Sequence, residues 1–189
     1  MPDGKKKRLC SDERLKALVD ASRADESRGL RLLDELLSGY PSDPRLLFFK
    51  GSLLAGAHDY GAARIAMRQA VDAAPDYAIA RFQLGFLELT SGEPIAAQES
   101  WGPLHSLPAD HFLRLFVTGL CHLIRDEFAD TIRCLEDGIS RNRENLPLNR
   151  DMQLTIDEIR TKPRQERGDA AVSSVGLLLQ QASFNPRKH

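Results

Sequence analysis

Three glycines, Gly51, Gly85 and Gly119, recur at one constant step of about 34 residues, and Phe48, Phe82 and Phe116 keep that step just ahead of them. Acidic Asp59, Glu93 and Glu127 repeat in the same frame, followed in register by Ala63, Ala97 and Thr131 and then by Met67, Trp101 and Leu135. Five parallel series in one frame mark an internal repeat, and a period of this length belongs to stacked supersecondary units. Each unit must then be short enough to recur and must bury its apolar face against a neighbour.

Within a unit the spacing predicts two helices. Leu46, Leu47, Phe48, Leu53 and Leu54 fall at helical intervals behind Pro44, a residue tolerated in a first turn. His58-Asp59-Tyr60-Gly61 reads as a turn, Ala62 to Ala73 as a second helix, and Pro75 as its stop. A glycine in the first helix costs roughly 1 kcal/mol relative to alanine. That cost is acceptable where a partner helix must approach closely.

These residues resemble the tetratricopeptide repeat, whose pattern places a glycine, then A-x3-F, then a proline within a unit of about 34 residues. The first unit supplies Gly51, Ala63-x3-Met67 and Pro75, the second Gly85 and Ala97-x3-Trp101 with Pro108 one place early. In the third, Gly119 and Thr131-x3-Leu135 keep the frame without a proline. The resemblance covers about 44–145 and implies an all-α fold, a tetratricopeptide superhelix of three to four hairpins. The repeats span 44–77, 78–111 and 112–145. A degenerate repeat over 11–43 (Ala17 at the glycine position, Gly29 at the alanine position) precedes them, and a capping helix over 147–160 closes the solenoid through Leu148, Met152, Ile156 and Ile159.

The same resemblance implies a concave groove lined by the first helices. Carried over position by position, it is formed by Arg45, Phe48 and Ser52, then Ile79, Phe82, Phe86 and Leu89, then Leu113, Phe116 and Leu120. Such a surface is more apolar than is usual in the family and predicts a polypeptide partner, with the phenylalanines as anchors and Arg45 as a charge clamp at the rim. Gly51, Gly85, Gly119, Ala63, Ala97 and Thr131 are the packing positions of the motif, which carries no catalytic residue.

Composition narrows the remaining classes. The 189 residues carry a formal charge of −1, so no global field draws the chain to nucleic acid. No apolar run reaches the roughly 18 residues that a membrane span requires, so no membrane insertion is expected. Residues 1–10, with Lys5-Lys6-Lys7-Arg8, read as a disordered basic terminus lacking the apolar stretch of a secretory leader. Cys10, Cys121 and Cys134 are odd in number and widely spaced, which fits reduced thiols in a cytoplasmic protein.

Phosphate loops, nucleophile elbows, HExxH and CxxC are all missing from the sequence, and no cofactor or metal is expected. Cys121 and His122 point about 100° apart on a helix and cannot act as a pair. Cys121 and Cys134 fall on the two helices of the third unit, where a buried thiol pair is conceivable. His105 and His111 flank a loop without carboxylates at ligand spacing.

Behind the solenoid, 161–169 reads as a charged linker, and Ala171 to Pro186 carries no charge at all. That apolar tail could fold back into the groove as an autoinhibitory segment, or pair with another copy through 171–184. The leading expectation is therefore a non-enzymatic adaptor or scaffold. The alternatives are a chaperone similar in architecture to the class II chaperones of type III secretion, and a self-assembling oligomer.

Overall fold

Short polar residues stop and restart the chain at the helix boundaries. The computed structural model describes residues 9–161. It contains α1 (Asp12–Ala24), α2 (Glu26–Gly39), α3 (Pro44–Gly56), α4 (Tyr60–Ala73), α5 (Ala78–Thr90), α6 (Pro94–Trp101), a 3-10 turn (Gly102–Ser106), α7 (Phe112–Ile124), α8 (Phe128–Arg141) and α9 (Leu146–Thr161). The described residues include no strand, so the fold class is all-α as expected. The basic run Lys5–Arg8, the linker beyond Thr161 and the uncharged segment 171–184 lie outside the described residues.

Side-chain caps explain where several helices begin. Asp25 accepts the backbone N–H groups of Ser27 and Arg28, Asp43 that of Arg45, and Asp59 that of Ala62. Each satisfies a donor that has no partner within its own helix. Because Asp59 is the cap, α4 starts at Tyr60, two residues before the run of strong helix formers.

The described residues fall into two compact units, divided between Ala80 and Arg81 inside α5. In the first unit α1 packs on α2 and α3 on α4, with α2 also touching α3. Its core joins Cys10, Leu18, Leu33, Leu36 and Leu46. In the second unit α7 packs on α8 and α8 on α9. Leu148, Met152, Ile156 and Ile159 form the buried stripe of α9, which closely matches the helix expected over 147–160.

Hairpin turns reveal a sixth series in the same frame. His58 (φ 63°), Gly92 (φ 80°) and Asp126 (φ 59°) all adopt the left-handed conformation. Behind each, the next backbone N–H reaches five residues back: Asp59 to the Leu54 carbonyl, Glu93 to Glu88 and Glu127 to His122, at 2.9, 2.9 and 3.0 Å. This Schellman closure satisfies carbonyls left open at the end of the first helix. Its last residue stands directly before the second helix, so one short turn ends one helix and starts the next.

The hairpin of α1 and α2 closes differently from the other three. The position equivalent to His58 is Ala24, still helical, and Asp25 is extended at φ −155° with its N–H on the Ala21 carbonyl. Alanine is a strong helix former that pays a full Cβ penalty in the left-handed region, so α1 runs on until Asp25 ends it. Helix α6 departs too. It has eight residues where α4 and α8 have 14, because Pro103 cannot donate within a helix and its ring would meet a carbonyl one turn back.

Candidate functional site

The candidate surface is built on the first helices of the hairpins, and what fixes those helices is the glycine contact. A Cβ built on Gly51 would lie 2.8 Å from Cγ of Met67, one on Gly85 2.3 Å from Nε1 of Trp101, and one on Gly119 2.9 Å from Cδ2 of Leu135. Each glycine therefore meets the large residue at the same position of the following helix, in three hairpins of otherwise different sequence. Ala63, Ala97 and Thr131 are fully buried. Thr131 hides its hydroxyl by donating to the Glu127 carbonyl at 3.0 Å.

Nine of the ten groove positions separate into two groups. Phe82, Leu89, Phe116 and Leu120 are fully buried and Leu113 is nearly so, which corrects their reading as residues of an open groove. Phe82 and Phe116 are interior because rings pack against one another in the second unit. Phe82 lies 6.1 Å from Phe86, 6.3 Å from Trp101 and 6.0 Å from Phe116, centroid to centroid. Trp101 donates its indole N–H to the Phe82 carbonyl at 3.0 Å, and Phe116 packs where a Cβ on Gly138 would clash with its ring. An indole that pairs with backbone in this way is a structural post rather than a ligand platform.

Phe48, Ile79 and Phe86 are half-buried and Ser52 is exposed. Phe48 sits against Tyr77 with centroids 5.5 Å apart and planes inclined by 58°. Ser52, one turn on along α3, bends its hydroxyl back to the Phe48 carbonyl at 3.0 Å. Burial raises the Tyr77 phenol above its usual pKa, with Asp43 adding to the rise and Arg45 opposing it. In the first unit this leaves a surface of one aromatic pair and one small hydroxyl.

Arg45 is not the free charge clamp expected. Its guanidinium donates to both oxygens of Asp43, to Asp12 at 2.8 Å and to the Cys10 carbonyl. Asp43 is fully buried, caps α3 and also accepts the Cys10 N–H at 2.8 Å. Burial pulls the Asp43 carboxyl upward, but the bonds from Arg45, Cys10 and the α3 terminus outweigh it and hold the pKa below the usual value. The knot ties the segment before α1 to the start of α3, far along the chain.

The described thiols are poor nucleophiles. Cys10, Cys121 and Cys134 are free, and desolvation raises all three pKa values above the ordinary cysteine. Cys134 touches the Gly119 position, whereas Cys121 lies two residues further along α7, about 200° round the helix, so the thiols do not face each other. His122, Arg125 and Glu127 form an exposed cluster at the third hairpin turn. There the hydrogen bonds of Arg125 and His122 hold the Glu127 carboxyl at about 2. No group of three metal-ligating side chains occurs among the described residues. A depression of about 350 Å³ is lined by Pro41, Ser42, Leu47, Gln69, Asp72 and Ala73.

Three features escaped the reading by spacing. Glu88 is fully buried on α5, where the Ser100 hydroxyl donates to it at 2.6 Å. His111 caps α7 through its ring. The left-handed triad 58, 92 and 126 was legible in principle, since His, Gly and Asp at one period are residues that accept positive φ. No family model, curated protein or solved structure matches the chain.

Proposed function

We propose that the chain is a non-enzymatic helical-repeat module of the tetratricopeptide kind that binds a polypeptide segment on the faces of its first helices. The observation that carries this reading is the hairpin code in three copies: a glycine against the large side chain of the following helix, and a left-handed turn residue at one fixed place. Such a code specifies how helices pair and leaves the outer faces free to vary, which is the division of labour in repeat proteins that recognise other chains. In the first unit the contact surface is Phe48, Tyr77 and Ser52; in the second it is Phe86. A half-buried aromatic next to a small polar residue suits an apolar side chain flanked by backbone.

The test uses a displayed library of random twelve-residue peptides selected on the whole chain, followed by affinity measurements on variants. Ser52→Arg, at an exposed position, should weaken the selected peptides about ten-fold or more while leaving helical content unchanged. Ile95→Asp, on the exposed face of α6, should bind as the parent does. The reading fails if Ser52→Arg and Ile95→Asp behave alike, or if no peptide is enriched.

A further inference from the structure

A backbone N–H can only donate, and the N–H of Leu113 points at Nδ1 of His111 at 3.1 Å. Nδ1 is therefore the acceptor, and its lone pair caps α7. Protonation would turn the acceptor into a donor facing another donor, and would set a cation against the positive end of the helix dipole. From this geometry we infer that His111 is a proton-sensitive latch on the first turn of α7, releasing Phe112 and Leu113 when it takes up a proton.

The other side-chain caps of the described helices include Ser11, Asp25, Asp43, Asp59 and Asn145, none of which loses its acceptor between pH 5 and 8 in the way an imidazole does. The latch stands at the start of α7. It follows the loop that joins the 3-10 turn to α7, a loop fixed by the His111 N–H on the Pro108 carbonyl and by Arg114 on the Leu107 carbonyl.

Phe112 and Leu113 are both buried, so loosening this turn bares apolar surface. The ring stacks on Phe112 at 4.9 Å, and that face would partly offset the cost of a cation. Charged groups nearby are Asp110, next in the chain and exposed, Arg114 one turn into α7, and Arg141 of α8, 4.0 Å from Asp110. Among the described residues none of them bonds to the imidazole.

Amide hydrogen exchange of the full chain at pH 5.0 and 7.5, corrected for intrinsic rates, reads the latch directly. In the parent, protection of the first turn of α7 should fall about five-fold at pH 5.0, the equilibrium equivalent of a typical cap. His111→Asn keeps an acceptor that does not titrate, and should hold that protection constant. His111→Ala should show the acid-level protection at both pH values. Equal pH dependence in the parent and His111→Asn overturns the inference, as does a nitrogen chemical shift showing Nδ1 protonated at pH 7.5.

Discussion

Substituting alanine for each hairpin glycine separates two opposed effects whose balance differs at the three sites. Alanine in a helix gains roughly 1 kcal/mol over glycine wherever its methyl group has room. At Gly51 the methyl meets Cγ and Cε of Met67 at 2.8 and 2.9 Å, atoms of an unbranched, flexible chain that can swing aside. Gly51→Ala should therefore fall within about 0.5 kcal/mol of the parent.

At Gly85 the methyl meets Nε1, Cδ1 and Cε2 of Trp101 at 2.3, 2.6 and 2.6 Å. An indole cannot fold away, so the whole ring must retreat by about 1 Å to reach an ordinary contact. Retreat breaks the 3.0 Å bond to the Phe82 carbonyl and disturbs the stack on Phe82. Overpacking at about 1–3 kcal/mol plus a strained buried N–H at about 1–3 kcal/mol, less the propensity gain, gives a net loss of about 2–4 kcal/mol. Gly119→Ala, against the branched Leu135 at 2.9 Å and Cys134 at 3.2 Å, should lie between the two.

Urea denaturation followed by circular dichroism, with a common slope, gives the three differences. Equal losses at Gly51 and Gly85 would refute the argument that the neighbour's stiffness decides the cost. A stabilised Gly85→Ala would refute the hairpin contact itself.

Three further outcomes follow from the turns and the buried charges. His58→Gly should raise stability by about 1 kcal/mol and Asp126→Gly by less, because aspartate tolerates the left-handed region better, while Gly92→Ala should lose about 1 kcal/mol; calorimetric melting reads all three. Arg45→Ala should destabilise the fold by about 3 kcal/mol at pH 7 by stranding the buried Asp43 carboxylate. In the parent, the lowered Asp43 pKa gives stability that is present above the unfolded pKa and lost as pH falls through the folded one. Arg45→Ala should show the opposite trend, gaining stability on acidification, and chemical melts at pH 4 and 7 decide it. Burial raises Asp151 to about 6 against a weaker pull from Arg150, so its protonated form stabilises the fold below pH 4 and that contribution fades as pH rises through 6. Asp151→Asn should accordingly be close to neutral at pH 4 and stabilising by about 1–2 kcal/mol at pH 7.5, once partial exposure is allowed for. No change in its relative stability between these pH values would show that the carboxyl is ionised throughout.

The pairing of helices was legible because it rests on a local rule at a fixed interval. Gly51, Gly85 and Gly119 must be small, Met67, Trp101 and Leu135 must be large, and both facts survive in a linear string. The two ends of α9 are likewise close to those read from Leu148, Met152, Ile156 and Ile159, since a single apolar stripe has one way to be buried. What the string does not carry is which side of an apolar helix ends up covered. Phe48, Phe82 and Phe116 occupy one repeat position, yet Phe48 is half-exposed beside Tyr77 while Phe82 and Phe116 vanish into a ring stack. Trp101 and Gly138 create that difference from elsewhere in the chain.

Charge shows the same division. From sequence Arg45 is one arginine near a helix start; only the fold brings Cys10, Asp12 and Asp43 around it and turns a free cation into a knot. Short-range sterics, written once in every repeat, determined that this chain is a set of helical hairpins. Burial and hydrogen-bond partners come from residues far apart in sequence, so only the tertiary structure decided which side chains remain available to another molecule.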